Sequence, residues 1–436
     1  MAVLEESPGV AKIAPSATRF MQRLVRRLGP GLITGASDDD PSGIGTYSQA
    51  GAQLGYGIGW TMLLTYPLMV GIQEISARIG RTTGHGISGN LRRHYPNWLL
   101  QSIVALLFVA NTINIGADLS AMGDAAHLLF GGMATIYVVA FTAVCTAGIV
   151  FVKYERYVLV LKWLTLSLFT YVAAVFVMRV DWHAALTGAL VPHLNWTGGY
   201  FTTLVAIFGT TISPYLFFWQ ASQEAEDVHV SKERKPLIKA PRQALDALPR
   251  IRADTLVGMA LSNIIAIAII IGTASTLHKH GVASIETSTQ AAEALKPIAG
   301  PFAFALFSLG IVGTGLLAIP VLAGSAAYAV GEARRWTVGL ARQPSRAAAF
   351  YSVIAAATVI GAGITLSPID PVKALYWSAV INGVVAPPVM VVMMLMAADR
   401  RVMGQFIVAG WLRCLGWAST AAMGACVAAM AAFLVA

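Results

Sequence analysis

The sequence predicts an all-α polytopic membrane protein, and three observations support this. Of its 436 residues, 56% are hydrophobic and only 12% are charged, whereas a soluble domain averages about 25% charged residues. The mean hydropathy is +0.67. Apolar stretches long enough to cross a bilayer recur along the whole chain, with no sizeable polar module between them.

Eleven apolar stretches are the predicted membrane spans. They cover residues 29–55, 57–79, 98–122, 133–152, 157–178, 200–222, 254–277, 301–329, 348–366, 373–397 and 406–434. Lysine and arginine concentrate in alternate loops, which places the N-terminus in the cytoplasm and the C-terminus outside. We expect the protein in the bacterial inner membrane or another plasma membrane. The net charge of +9 does not indicate nucleic-acid binding, because the basic residues are scattered over short loops.

The spans suggest two halves of five with one span left over. We predict a cytoplasmic segment at 1–28, a first repeat at 29–178, an outer loop at 179–199 and span six at 200–222. A cytoplasmic linker at 223–252, the rest of the second repeat at 253–397 and span eleven at 398–436 follow. The glycine-rich stretch 80–97 is predicted to be a flexible connector, since it lacks the features of a phosphate-binding loop.

The first span contains three consecutive carboxylates, Asp38, Asp39 and Asp40, followed by Pro41. If the span starts at Pro30, Asp40 lies roughly 15 Å into the bilayer, near its midplane. Aspartate caps a helix and proline occupies its first position, so the pattern predicts a helix that stops and restarts inside the membrane. Charged residues at this depth are costly and are usually functional. The stretch is therefore a candidate substrate site.

The sixth span repeats this pattern. Small and hydroxyl residues at 209–213 precede Pro214, with Ser213 in the capping position. Interrupted helices at matching positions of two halves indicate a transport site built on inverted repeats. On the third span, Asn114 and Asp118 lie four residues apart on one helix face. Asp118 is a candidate ion or proton relay, and Asn114 and Asn382 are either cavity residues or interhelical hydrogen-bonding groups.

Together these motifs resemble a known family. The run from Gly29 to Tyr56, with its Asp40-Pro41-Ser42-Gly43, resembles the first span of the Nramp divalent-metal transporters, whose motif there is Asp-Pro-Gly-Asn. Residues 209–215 partly resemble the family's sixth-span motif, and 116–119 its acidic third-span motif. The resemblance implies a leucine-transporter-type fold of five plus five inverted spans with an eleventh helix, broken helices 1 and 6, and a cation site between the breaks.

The resemblance also assigns individual positions. Asp40 matches the metal-binding aspartate, Gly43 replaces the asparagine ligand and Ser213 replaces the methionine ligand. Thr210 holds the position of a backbone ligand, and Thr211 offers a further oxygen. Tyr215 and Gln220 replace the two sixth-span histidines, whereas Asp118 keeps the third-span aspartate. Asp38 and Asp39 are expected to attract cations towards the site.

These replacements predict a change of ion. A thioether favours soft transition metals, whereas hydroxyl, carboxylate and carbonyl oxygens favour hard ions such as Mg²⁺. We therefore expect an Nramp-like carrier of divalent cations shifted towards Mg²⁺, with Mn²⁺ also accepted. Loss of the histidines argues against tight proton coupling. The metal is the transported substrate, no cofactor is implied, and the expected partners are the cation and the lipid bilayer, without an obligate protein.

Two other functions remain open from the sequence. Asp40 has the charge to hold the ammonium group of a small organic amine or amino acid, for which Gly43 and Ser213 leave room. A non-transporting sensor or scaffold is the other alternative. An intramembrane enzyme binding Mg²⁺ and a diphosphate needs a second, facing acidic cluster, and the sequence does not contain one. We therefore predict that the chain is not an enzyme.

Overall fold

A computed structural model describes residues 30–152, 169–285, 288–293, 300, 303–366 and 369–435. The α-helices of the described residues are numbered here in chain order. They are α1 (Pro30–Asp38), α2 (Pro41–Leu54), α3 (Trp60–Thr83), α4 (Ile87–His94), α5 (Asn97–Phe130), α6 (Ala134–Phe151), α7 (Phe169–Val177), α8 (Trp182–Leu190), α9 (Gly198–Thr211), α10 (Pro214–Val230), α11 (Ala244–Thr276), α12 (Ser288–Glu293), α13 (Ala303–Arg334), α14 (Ala348–Ile364), α15 (Pro371–Ala398), α16 (Arg400–Met403) and α17 (Gly410–Val435).

The predicted break in the first span is confirmed. Helix α1 ends at Asp38 and α2 begins at Pro41. Asp40 is the N-cap of α2, with extended backbone, and its side chain accepts a 2.7 Å hydrogen bond from the Gly43 N–H. The break follows from local chemistry, because proline disfavours the α conformation in the residue before it and the aspartate satisfies a backbone donor at the new helix start.

The predicted break in the sixth span is also present, but its cap differs from the prediction. Helix α9 ends at Thr211 and α10 begins at Pro214, with Ser213 in the N-cap position. The Ser213 hydroxyl does not cap α10. It donates instead to the carbonyl oxygens of Gly209 and Thr210, at 2.6 and 2.9 Å. The nearer acceptors at the frayed end of α9 compete successfully for the hydroxyl.

Close helix packing fixes the two breaks in space. Helix α11 packs along both α1 and α2, while α9 packs against α15. At the second contact, a Cβ added to Gly209 lies only 2.1 Å from the Ala379 carbonyl oxygen and 2.5 Å from the Gly383 nitrogen. Glycine therefore lets the two backbones touch, as small residues do between membrane helices. Helix α5 packs against α13 and α15 and closes the site from a third side.

Several helix bounds differ from the sequence prediction. Helix α10 continues to Val230 and α11 starts at Ala244, so the loop predicted at 223–252 is much shorter. Two carboxylates in the extended part of α10 are paired with arginines: Glu224 with Arg250 of α11 at 2.6 Å, and Asp227 with Arg234 of the loop at 2.6 Å.

Two further segments predicted as irregular contain short helices. Helix α8 lies in the predicted outer loop 179–199, and α4 lies in the predicted flexible connector 80–97. Most of the predicted span 157–178 lies outside the described residues.

Seven of the described helical segments are long and apolar enough to cross a membrane. They are 97–130, 134–151, 198–230, 241–280, 307–334, 371–398 and 410–434. Three of the other four predicted spans correspond to the broken pair α1–α2, to α3 and to α14, which are shorter or more polar. Of the fourth, 157–178, the structure describes only 169–178, which contains α7. The predicted all-α, broken-helix architecture is confirmed.

Candidate functional site

The first break meets helices α5, α10 and α15 in a buried hydrogen-bond network centred on Asp40. Asn114 on α5 donates from one nitrogen to Asp40 Oδ2 at 3.1 Å and to Asp118 Oδ2 at 3.2 Å. Asn382 on α15 donates to Asn114 Oδ1 at 2.9 Å. One asparagine amide therefore links two carboxylates, and a second asparagine fixes its orientation.

Tyr215, in the first turn of α10, connects the second break to the first. Its hydroxyl lies 2.8 Å from the Ser37 carbonyl oxygen and 3.5 Å from Asp40 Oδ2. Four of the residues selected from the sequence (Asp40, Asn114, Asp118 and Asn382) thus form one network, and Tyr215 extends it across the break.

Asp38 and Asp39 face another helix. Ser262 on α11 donates a 2.6 Å hydrogen bond to Asp38 Oδ2 and lies 3.1 Å from Asp39 Oδ1. Asp38 Oδ1 is buried and has no hydrogen-bond partner among the described residues. The three consecutive aspartates therefore do not converge on one point: Asp38 and Asp39 are oriented by α11, and Asp40 is oriented by α5 and α10.

Gly43 brings α2 against α9. A Cβ built on Gly43 lies 3.1 Å from Thr210 Oγ1, 3.2 Å from the Asp38 carbonyl oxygen and 3.4 Å from the Tyr47 ring. The space that the family asparagine needs is therefore filled by the Thr210 hydroxyl and the Tyr47 ring.

The remaining predicted residues differ in how close they come to Asp40. Thr211 Oγ1 donates back to the Ile207 carbonyl oxygen of its own helix at 2.9 Å. Gln220 lies further along α10 and donates to Thr255 Oγ1 at 3.3 Å, outside the Asp40 network. Ser213 is at the second break, and its hydroxyl oxygen keeps lone pairs that its two hydrogen-bond contacts do not use.

The electrostatics of the site are unusual for a buried region. Asp38, Asp39, Asp40 and Asp118 are each at most 2% exposed. Among the described residues, none of them forms an ion pair with lysine, arginine or histidine. An isolated buried carboxylate costs on the order of tens of kcal/mol to ionise in an apolar medium, so it takes up a proton or a cation instead. The site therefore has a strong chemical requirement for positive charge.

The donor set is made of oxygen. Within the described part of the chain, no group of three or more His, Cys, Asp and Glu side chains is arranged to hold a metal. A cation at the break would therefore meet one carboxylate, from Asp40, and neutral hydroxyl or carbonyl oxygens. This composition suits a hard ion that retains part of its water shell.

Two contacts at the candidate site were not predicted. Ser262 is an isolated serine in the apolar helix α11, and only the packing of α11 on α1 shows that it binds two aspartates. Tyr47 lies on α2 in contact distance of the Gly43 position, and its ring contributes to the wall of the site. The period of α2 places Tyr47 one turn after Gly43, which is the one sequence signal that points to it.

The fold and the site together define a class: an all-α membrane protein of the leucine-transporter fold, with two five-helix halves, broken first and sixth helices and an eleventh helix. Residues 31–432 match the family described as "Natural resistance-associated macrophage protein-like". The chain belongs to this Nramp family.

Relatives in the family carry transporter names. The chain is 24% identical over 432 residues to a protein of Deinococcus radiodurans named "Divalent metal cation transporter MntH", covering 95% of this chain and 91% of the relative. A Granulibacter bethesdensis protein of the same name is 26% identical over 392 residues, covering 87% and 82%. These relatives are transporters and not enzymes, in agreement with the prediction for this chain.

Solved structures support the fold. A manganese transporter of Eremococcus coleocola, in complex with an aromatic bis-isothiourea substituted compound, superposes with a TM-score of 0.70 at 16% identity, covering 95% of this chain and 87% of that one. Mhp1, a nucleobase-cation-symport-1 family transporter in a closed conformation, gives a TM-score of 0.52 at 14% identity, with coverage of 93% and 92%.

Proposed function

We propose that this protein carries a divalent metal cation across the membrane, and that the ion binds between the two helix breaks with Asp40 as its anionic ligand. One observation carries this proposal. Asp40 is buried at the first break without a cationic partner in the described part of the chain, and its Oδ2 lies 3.5 Å from the hydroxyl of Tyr215 in the first turn after the second break. The family membership and the relatives' names support the same function.

The proposed ligands are Asp40 together with oxygens of Thr210, Thr211 and Ser213, and Gly43 lets the Thr210 hydroxyl approach the first break closely. Asn114 and Tyr215 hold the Asp40 carboxylate in position through its Oδ2 atom. Asp118 is connected to Asp40 through Asn114, so it responds to the charge of the ion without touching it. Asn382 orients Asn114, while Asp38 and Asp39, held by Ser262, add negative charge beside the first break.

The same ligands favour Mg²⁺ over soft transition metals. Ser213 supplies a hydroxyl oxygen where a thioether would recruit Mn²⁺, Fe²⁺ or Cd²⁺. Mg²⁺ dehydrates reluctantly and keeps several waters when bound by proteins. A site with one carboxylate and neutral oxygens accommodates such a partly hydrated ion, and it accepts Mn²⁺ as well.

Two residues of the sixth span bear on whether protons are transported together with the ion. The sixth-span positions that carry histidines in the family hold Tyr215 and Gln220, which do not titrate near neutral pH. We therefore propose transport without obligatory proton coupling. Liposomes containing a pH-sensitive dye provide the test: Mg²⁺ uptake is expected to leave the internal pH unchanged, and metal-dependent acidification would contradict the proposal.

Binding and uptake measurements with Asp40→Ala test the site itself. Titration calorimetry and liposome uptake of Mg²⁺ and Mn²⁺ should both fall by at least about tenfold, corresponding to 1.4 kcal/mol. The matched control is Asp246→Asn, which changes an exposed carboxylate near the start of α11. Unchanged transport by Asp40→Ala would exclude the proposed site.

The organic-substrate alternative is tested in the same preparation. A carrier of divalent cations is expected to show no thermal stabilisation by an amine or amino acid in the presence of EDTA. Stabilisation by such a molecule under these conditions would favour the organic substrate over the metal ion.

Ion selectivity is tested by restoring the family residue at the second break. Ser213→Met should raise the affinity for Cd²⁺ relative to Mg²⁺ by about tenfold, because the thioether is a soft ligand. Ser213→Leu is the control of similar volume without the sulfur. Equal Cd²⁺ affinities of the two variants would show that Ser213 does not face the ion.

A further inference from the structure

A polar cavity lies outside the Asp40 network, among the basic loops on the side predicted to be cytoplasmic. Its volume is about 610 Å³, within the range typical of small-molecule sites. It is bounded by the start of α4, the end of α10, the end of α13 and the connection from α13 to α14. The charged residues that line it are Arg92, Arg93, Arg335, Arg342, Glu226 and Glu332.

We infer that this cavity binds a phosphate-bearing anion. None of the four arginines forms an ion pair with a carboxylate among the described residues. Arg92 Nη1 donates to the Glu332 carbonyl oxygen and Arg342 Nε to the Val338 carbonyl oxygen, which leaves the other N–H groups of each guanidinium for a ligand. Guanidinium groups match phosphate geometry with paired hydrogen bonds, and several of them together favour a ligand with more than one negative charge.

The two glutamates do not neutralise these arginines by direct pairing. Glu332 accepts 2.8 Å hydrogen bonds from the Gly86 and Gly89 N–H groups and so occupies the N-terminus of α4. Glu226 accepts from the Tyr328 hydroxyl and from the Ala341 N–H, the latter at 2.7 Å. Both carboxylates are therefore committed to fixing the cavity wall.

An unused polar group also lines the cavity. Ser222 on α10 is 3% exposed, and its hydroxyl has no hydrogen-bond partner among the described residues. A buried hydroxyl without a partner costs about 1–3 kcal/mol. A phosphate oxygen would satisfy it, which makes Ser222 an independent sign of a ligand beside the arginines.

His85 also lines the cavity but does not add to its charge. Burial first, and then the neighbouring charges of Arg93, His229 and Arg92, lower the pKa of His85 to about 4. The ring is therefore neutral at physiological pH, and the positive charge of the cavity comes from its arginines.

Arg335 holds an unfavourable backbone conformation at the cavity edge. Its φ is +63°, a left-handed conformation that glycine adopts freely and that is usual for glycine just after a helix end. Here it follows the last residue of α13, where the Trp336 N–H donates to the Gly331 carbonyl oxygen at 2.8 Å. The chain therefore keeps an arginine where glycine would be more stable.

The lining comes from both halves of the fold. Helix α4 and the loop before it belong to the first half, whereas α10 and α13 belong to the second. A bound anion would connect α10, the second part of the broken sixth helix, to the start of α4 and the end of α13.

Calorimetry on the full chain with pyrophosphate tests the inference. The protein is kept in detergent with EDTA and without other phosphate, and sodium chloride is matched for ionic strength. Saturable pyrophosphate binding is expected, with at least tenfold weaker binding in Arg335→Gly and Arg342→Gln. Arg400→Gln, an exposed arginine outside the cavity, should bind like the unchanged protein.

Thermal unfolding distinguishes a site from a structural role and separates two sources of phosphate. Unliganded Arg335→Gly should unfold at the same or a higher temperature, which shows that its lost binding is not misfolding. Nanodiscs with phosphatidylglycerol, compared with phosphatidylcholine, test whether a lipid headgroup supplies the phosphate. The inference is overturned if neither pyrophosphate nor phosphatidylglycerol stabilises the protein, or if Arg400→Gln loses as much binding as the cavity variants.

Discussion

The two helix breaks have the same backbone design and different chemistry. Each places an N-cap residue before a proline at the first helical position. At the first break the cap is a carboxylate that bonds to the new helix, whereas at the second it is a hydroxyl that turns back to the old one. Proline therefore determines where the helix stops, and the residue before it determines what the opened backbone can bind. The first break offers charge, and the second offers neutral oxygens.

Converting the first break into the second tests this difference and should have the largest effect. Serine is nearly as good an N-cap as aspartate, so Asp40→Ser should keep α2 in place while removing the charge. We expect at least a tenfold loss of Mg²⁺ uptake in liposomes and little change in the unfolding temperature. A large drop in both Mg²⁺ uptake and unfolding temperature would mean that the role of Asp40 is mainly structural.

Removing the amide that links the carboxylates comes next. Asn114→Ala leaves Asp40 and Asp118 without their shared donor. Leaving two buried carboxyl groups without this donor should lower stability by about 1–3 kcal/mol. The free energy of unfolding of the purified Asn114→Ala protein measures this loss, and Asn114→Asp is the comparison. If Mg²⁺ restores the stability of the aspartate variant and not that of the alanine variant, the network responds to charge as described.

The packing behind the second break is tested by Gly209→Ala. The added methyl would collide with the Ala379 carbonyl oxygen, and overpacking of this kind costs about 1–3 kcal/mol. Gly424→Ala on α17 is the matched control, because nothing lies within 4 Å of its added Cβ. Equal stability of the two variants would show that α9 and α15 do not approach each other as closely as they do here.

The smallest effect is expected from Ser213→Ala. Its hydroxyl bonds only to carbonyls of the preceding helix, so stability should change by roughly 0.5 kcal/mol or less. Mg²⁺ affinity should fall a few-fold in calorimetry, far less than for Asp40→Ser. A loss of Mg²⁺ affinity as large as that caused by Asp40→Ser would show that the two breaks contribute equally to ion binding, which would contradict the comparison.

The sequence predicts local features of this molecule well. Asp40-Pro41 and Ser213-Pro214 determine the two breaks because capping and proline geometry act within a few residues. The broken-helix fold follows from those breaks together with the spacing of the apolar stretches.

Features that depend on distant partners were not predictable. Ser262 binds Asp38 and Asp39 from more than two hundred positions away, and no local pattern marks it. The Ser213 hydroxyl was expected to cap α10, but a neighbouring carbonyl accepts its proton. Helix α10 extends past residue 222, where Glu224 forms an ion pair with Arg250 of α11. In each case the tertiary partner, and not the intrinsic preference of the residue, decides the outcome.

The most direct test of the ion site is an anomalous difference map from crystals grown with Mn²⁺. We predict one strong peak within about 2.5 Å of an Asp40 carboxylate oxygen, bounded on the other side by oxygens of Thr210 and Ser213, and no such peak in Asp40→Ser crystals. A fully occupied peak elsewhere in the membrane region, with none beside Asp40, would contradict the account.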